Sequence, residues 1–181
     1  MRPLTEDETK TFFKKLSNYV GKNISSLIDR PDGMYCFRLH KNRVYYVREE
    51  IMKLAISVGS KNLISLGICF GKFNNSGKFR LHITSLVYIA QYSKYKVWVK
   101  SNGIMSFLYG NHILKAHVGK MSEDVPEHMG VVIYSLDSDT PLGFGATAKA
   151  ATEVSKANPN AIIVYHQADA GEYLRDEDTL F

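Results

Sequence analysis

The chain has 181 residues, 45% of them hydrophobic and 23% charged, with a formal net charge of +5. These are ordinary globular values, and a chain of this size buries about 70% of its extended surface, enough for one large domain or two small ones. No apolar run approaches the ~20 residues of a membrane helix, and Cys36 and Cys69 stand alone, which disfavours a membrane span, a signal peptide and a disulfide scaffold and fits a reducing intracellular compartment.

Thr5 followed three residues later by Glu8 is a capping box, and Phe12, Leu16, Tyr19 and Val20 then share one helical face up to Gly21. A second short helix is expected over Ile24 to Ile28, then a turn at Arg30-Pro31-Asp32-Gly33. Strands Met34 to Leu39 and Arg43 to Val47 form a hairpin about His40-Lys41-Asn42. Glu49 and Glu50 open a helix whose Ile51, Leu54, Ala55 and Val58 form one stripe, the acids suiting its positive end. Leu66 to Phe73 and Lys78 to Thr84 make a second hairpin around Asn74-Asn75-Ser76-Gly77. A short helix follows over Ser85 to Gln91, and Gln91-Tyr92-Ser93 is the expected boundary between an N-terminal domain, 1–93, and a C-terminal one, 94–181.

Beyond that boundary the pattern is one of short strands and glycine turns. The exceptions are a helix near Gly103 to Phe107 and another near Ala150 to Ala157. Charge divides at the same place. Residues 1–93 carry 15 Lys/Arg against 7 Asp/Glu, whereas 94–181 carry 8 against 11. Phosphate binding responds to local cation density, so this asymmetry directs attention to the first half.

Period-two reading assigns strand faces. In Lys78 to Thr84, Phe79, Leu81 and Ile83 point one way, and Lys78, Arg80, His82 and Thr84 the other, with Lys72 on the partner strand near the turn. That face is either the solvated side of an antiparallel sheet or a phosphate-binding surface. Lys94 to Lys100 repeats the arrangement, with Lys94, Lys96, Trp98 and Lys100 opposite Tyr95, Val97 and Val99. Trp98 either stacks a base between lysines or packs against the neighbouring half under lysine stems.

Catalytic and cofactor patterns fail on context. Gly143 to Ala148 satisfies G-x-G-x-x-A, but Asp137 to Pro141 separates it from the strand Val131 to Leu136, and only one strand, Ala161 to His166, follows. A β-turn with closely approaching backbone is the better expectation. The Gly-Lys pairs lack a P-loop's flanking residues, and six histidines show no metal-ligand spacing. Glu172, Asp176, Glu177 and Asp178 read as a solvated acidic end. Nothing nominates a nucleophile or general base, so an enzyme, a cofactor and a metal are all disfavoured.

Two sets of motifs carry a resemblance. F-L-Y-G-N-H-I-L-K-A-H-V-G-K from Phe107 and P-L-G-F-G-A-T-A-K ending at Lys149, with K-Y-K-V-W-V-K before them, resemble a PUA domain, a small RNA-binding β-barrel. Together with M-R-P-L-T-E-D-E-T, R-V-Y-Y-V, S-L-G-I-C-F-G-K-F, K-F-R-L-H-I-T and G-E-Y-L-R-D-E, they make the whole chain similar to the Nip-seven family. Two departures are the turn Asn74-Asn75-Ser76, where members often carry lysine, and Ala116-His117, where PUA domains commonly place Pro-Gly.

The resemblance implies an α+β protein: an N-terminal α/β domain with an antiparallel sheet and flanking helices, then a PUA-type β-barrel. It further implies a non-enzymatic, monomeric role in pre-rRNA processing and assembly of the 60S subunit in the nucleolus. The partners it implies are pre-rRNA and pre-60S assembly factors, among them an rRNA methyltransferase. By the same likeness a PUA groove near Gly110 would use Lys115, His117, Lys120 and Lys149. The full set of expected RNA contacts adds Lys72, Lys78, Arg80, His82, Lys94, Lys96 and Trp98 from the strand faces. An adaptor bridging assembly factors through the acidic Asp169 to Asp178 stretch is the competing expectation.

Overall fold

The computed structural model describes residues 1–59 and 61–180. Helix α1 (Glu6–Val20) begins at the capping box, with Thr5 Oγ1 accepting from the Glu8 amide and the Glu8 carboxylate accepting from the Thr5 amide. Its buried face is Phe12, Leu16, Tyr19 and Val20, as the 3.6-residue period requires. Helix α2 (Ile24–Ile28) follows. The strands β1 (Asp29–Arg30), β2 (Gly33–His40), β3 (Arg43–Arg48), β4 (Ile68–Phe73) and β5 (Phe79–Leu81) form an antiparallel sheet in that order. Lys41 and Asn42 take φ of 48° and 64°, the left-handed geometry of a two-residue hairpin turn.

Between β3 and β4, helix α3 (Glu49–Leu54) runs into a 3-10 turn, Ala55–Ser57. Its expected apolar stripe stays largely in water: Leu54 is 77% exposed, Ile51 and Val58 are exposed as well, and Ala55 is half-buried. After β5 a 3-10 turn (Ile83–Ser85) leads into α4 (Leu86–Tyr92).

The second sheet contains β6 (Lys96–Val99), β7 (Ile113–Leu114), β8 (Val118–Met121), β9 (Gly130–Ser135), β10 (Pro141–Thr147) and β11 (Ile162–Asp169), ordered β7-β11-β10-β9-β6-β8. Its edge strands β7 and β8 are separated in the chain only by the 3-10 turn Lys115–His117. The two ends of the sheet therefore meet, and the sheet closes on itself. Helices α5 (Ser101–Leu108), α6 (Ala151–Val154), α7 (Glu172–Arg175) and α8 (Glu177–Leu180) complete the chain.

The glycines of the G-x-G-x-x-A stretch are mid-strand in β10, correcting the expected β-turn. A Cβ on Gly143 would sit 2.3 Å from the Ala168 carbonyl oxygen, and one on Gly145 equally close to that of Tyr165. They permit close strand approach, not phosphate binding.

Two cores hold the fold. One fills the barrel with Val97, Val99, Phe107, Ile113, Val131, Ile133 and Ile163. The other begins under the first sheet with Phe12, Phe37, Tyr46 and Phe70, then continues through Leu16, Tyr19 and Ile89 to Val132, Tyr134, Phe144 and Ala168 on the outside of the barrel. Tyr19 packs edge-on to Phe144 at 5.4 Å and lies against Gly130, where a Cβ would meet its ring at 2.7 Å. The two sheets thus share a core and are held at a set angle, which fixes the cleft between them.

Candidate nucleic-acid interface

The register of the first sheet aligns Arg43 with Lys72 and Lys72 with Arg80. Residues opposite one another across antiparallel strands project from the same face, and neighbouring strands lie ~4.8 Å apart. The opposite face carries Val44, Phe70, Phe79 and Leu81 into the core. Arg43, Lys72 and Arg80 therefore stand in one row across β3, β4 and β5. None of the three has a carboxylate within 4.0 Å among the described residues.

At the end of the row the two hairpin tips frame an open basin of about 650 Å³, lined by Lys41, Asn42, Arg43, Lys72, Phe73 and Asn74. Lys78 lies in the second tip, exposed, its amide donating to Asn74 Oδ1 at 2.8 Å. Arg43 also reaches the C-terminal segment, Nη2 donating to the Thr179 carbonyl at 2.8 Å.

His82 departs from its expected solvent face. It is 6% exposed, with Nδ1 4.0 Å from the Cys69 thiol. Strand β5 stops at Leu81, and Ser85 donates both its amide and its hydroxyl to the His82 carbonyl, starting the 3-10 turn. The C-terminal segment roofs this end of the face: Leu180 is buried and, with Tyr45, Cys69, Thr84 and Tyr173, lines a cavity of about 260 Å³. Burial, reinforced by Arg43, Lys72 and Arg80, pushes the His82 imidazole down to about 4. It is neutral at physiological pH and adds no charge to the row.

The barrel candidates fall into two groups. On β6 and β8, Lys96 Nζ lies 5.1 Å from the Tyr134 ring centre and Lys120 Nζ 4.8 Å from that of Trp98. The Trp98 indole donates to Asp139 at 2.6 Å and sits 5.8 Å from Tyr134. Trp98 also packs against the core that joins the sheets, so its ring is engaged on several sides. Lys94 Nζ is 4.7 Å from the Tyr95 ring. These cations are held over aromatic rings, an arrangement worth about 0.5–1 kcal/mol each at partly exposed sites.

The second group surrounds the start of β11, where Lys115 follows β7 and Lys149 follows β10, the two neighbours of that strand. His117 is half-buried against Gly103 of α5, with a buried Nδ1 that has no hydrogen-bond partner among the described residues. The register does not bring Lys115 and Lys149 into one surface with Lys96, Trp98 and Lys120.

Asp169, named in the sequence only as the start of an acidic stretch, forms a cluster with His166 and Arg175. Asp169 is fully buried, its Oδ2 taking His166 Nε2 at 2.6 Å and Arg175 Nη2 at 2.8 Å, its Oδ1 the Gly171 amide at 2.7 Å. Burial alone would raise this carboxyl, but His166 and Arg175 hold it below its ordinary value. Arg175 also donates to the Leu108 carbonyl, fastening the C-terminal segment to α5. The possible ligand atoms of His166, Asp169 and Glu172 lie within 4.8 Å of one another. The Arg175 guanidinium already occupies the cation position on Asp169, so the trio reads as an ion-pair anchor.

Comparison with known proteins identifies the two structural units. Residues 1–83 match the NIP7/UPF0113 pre-PUA domain and residues 95–178 the UPF0113 PUA domain. The chain is 67% identical over its full length to the "60S ribosome subunit biogenesis protein nip7" of Schizosaccharomyces pombe, covering all of that protein. It is 59% identical to the NIP7 protein of Saccharomyces cerevisiae, covering 99% of it. In solved structures, a PUA domain protein from Aeropyrum pernix matches 99% of this chain and 90% of its own at a TM-score of 0.61 and 12% identity, a likeness of fold.

Proposed function

The chain belongs to the NIP7 family, and from that premise we propose that it is a non-enzymatic RNA-binding factor in assembly of the 60S ribosomal subunit. In this reading it holds single-stranded or irregular pre-rRNA during processing and acts in the nucleolus as a monomer within a large ribonucleoprotein. Other assembly factors, an rRNA methyltransferase among them, dock beside it. The observation that carries the RNA contact is the row Arg43–Lys72–Arg80, three cations on one sheet face without carboxylate partners among the described residues.

The row alters the relative weight of the expected contacts. Lys72, Lys78 and Arg80 belong to the primary surface, joined by Arg43; Lys94, Lys96, Lys115, His117, Lys120 and Lys149 are secondary. Neutralising all three row cations with glutamine removes three phosphate contacts, each worth about fivefold in affinity near 0.1 M salt from counterion release alone. The triple variant is expected to bind a single-stranded RNA about 100-fold more weakly in a fluorescence anisotropy titration. Unchanged affinity would contradict the assignment and favour the adaptor reading. That reading has one observation of its own: the exposed apolar residues Ile51, Leu54, Ile56, Val58 and Ile64, close together in the chain between β3 and β4, of the kind that marks protein interaction sites where they are contiguous.

A further inference from the structure

Between the two sheets lies a cleft of about 300 Å³ lined by Lys15, Phe79, Arg80, Leu81, His166 and Gln167. Junctions between structural units are favoured places for binding sites, and the polar lining here is biased towards donors. Gln167 Oε1 accepts from Lys15 Nζ at 3.3 Å and from the Tyr19 hydroxyl. Burial raises the Tyr19 phenol's pKa, so this hydroxyl stays protonated and donates. With its carbonyl oxygen taken twice, the Gln167 side chain turns its NH₂ group, a pure donor, away from both.

Lys15 has no carboxylate within 4.0 Å among the described residues. Asp169 is paired with His166 and Arg175, while Glu172 accepts from the Asp169 amide, and burial raises its carboxyl against the opposing pull of the nearby Arg80 and His166 charges. The cleft therefore presents an ammonium, a guanidinium and an amide NH₂, with no carboxylate within 4.0 Å of Lys15 or Arg80 among the described residues.

Arg80 belongs both to this cleft and to the row on the outer sheet face. A polyanion lying along Arg43, Lys72 and Arg80 would come to the cleft at Arg80. We propose that the junction of the two sheets is a second phosphate site, in which Lys15, Gln167 and Arg80 bind one phosphodiester of the single-stranded RNA held by the row. This site rests on the RNA-binding reading above and extends it with two residues, Lys15 and Gln167, from opposite sides of the junction. The strand is gripped between the units, so neither sheet alone forms the complete surface.

The test is an anisotropy titration of the full chain with a fluorescein-labelled single-stranded RNA of about 12 nucleotides at about 0.1 M salt. Lys15→Gln is expected to weaken binding about fivefold and to make the slope of log K against log salt shallower by about 0.7. Lys14→Gln, one position along α1 and exposed, is the charge-matched control and is expected to stay within about twofold. Gln167→Glu places an anion beside Lys15 and is expected to weaken binding at least as much; it decides the matter if Lys15→Gln lowers the melting temperature.

Equal effects of the lysine variants, with RNA binding intact in the parent, overturn the junction site and leave the RNA reading standing. A parent chain that binds no RNA overturns both. Poly-glutamate of matched charge that binds as tightly as RNA, and in a Lys15-dependent way, assigns the cleft to an acidic protein segment and also overturns the proposal.

Discussion

Two strands read alike in the sequence, Lys78 to Thr84 and Lys94 to Lys100, each alternating apolar residues with cations. In the fold their cations meet opposite fates. Arg80 joins Lys72 and Arg43 in a row on the outer sheet face. Arg80 is exposed and Lys72 half-buried; Arg43 is half-buried with Nη1 enclosed and Nη2 donating to the Thr179 carbonyl. Lys96 and its β8 neighbour Lys120 instead lie over Tyr134 and Trp98, and Trp98 is hydrogen-bonded to Asp139. A cation is most available to a phosphate where its own fold holds no carboxylate against it and no ring as close as those over which Lys96 and Lys120 lie. Lys15, 5.9 Å from the Tyr19 ring centre, is held more loosely. Alternation on one strand fixes the face; the neighbouring strands decide whether that face is free.

The contrast predicts a crossing between stability and binding. The largest effect is expected at the paired ions of the barrel. Asp169→Asn leaves His166 and Arg175 without their buried counter-ion, and breaking such a pair costs about 3–5 kcal/mol. Arg80→Gln is expected to change stability by no more than about 0.5 kcal/mol. Urea denaturation of the two variants checks the difference, and comparable losses would break the contrast.

His82 supplies the next effect. Its folded-state pKa, about 4, lies below the ordinary 6.5, so the unfolded chain takes up this proton first as pH falls. Its contribution is fully present above pH 6.5 and is lost as pH drops towards 4, up to about 3 kcal/mol over that window. Subtracting the stability–pH profile of His82→Gln from that of the parent isolates the effect. A flat difference between pH 4 and 6.5 would mean that the imidazole titrates freely on the solvent face.

The smallest effect on RNA is expected at Trp98. Trp98→Leu removes the Asp139 hydrogen bond and the ring contacts, lowering stability by about 1–2 kcal/mol, while RNA affinity stays within about twofold. A base stacked on this ring would instead make the variant lose about 1–3 kcal/mol of binding.

Much of the fold was legible because the signals were local. The Thr5–Glu8 capping box, the α1 face and the turns at Lys41-Asn42 and Asn74 to Gly77 each need only a few adjacent residues. The candidate site was half legible. Lys72 and Arg80 came from period-two reading and the hairpin, but Arg43 joins them only through the pairing of β3 with β4, which local alternation does not reveal. His82 was assigned to the open face because alternation does not show that β5 stops at Leu81, where the 3-10 turn leaves the imidazole buried beside Cys69.

The tail shows the same limit. Asp169 read as part of an acidic end, yet it is the buried anchor for His166 and Arg175. The stripe of α3 followed helical periodicity without revealing what it faces, since periodicity defines a face and not its partner. The junction cleft was invisible for a related reason: Lys15 and Gln167 are separated by 152 positions.

The most direct measurement compares salt dependence. Single-stranded RNA binding is followed from low to moderate salt for the parent chain, for Arg43→Gln/Lys72→Gln/Arg80→Gln, and for Lys96→Gln/Lys120→Gln. The expected result is a slope of log K against log salt shallower by about 2 in the row variant, three contacts at about 0.7 each, and by less than about 0.7 in the barrel variant. A row variant with the parent's slope, or a barrel variant that flattens as much, would contradict the assignment of the primary phosphate surface to the first sheet.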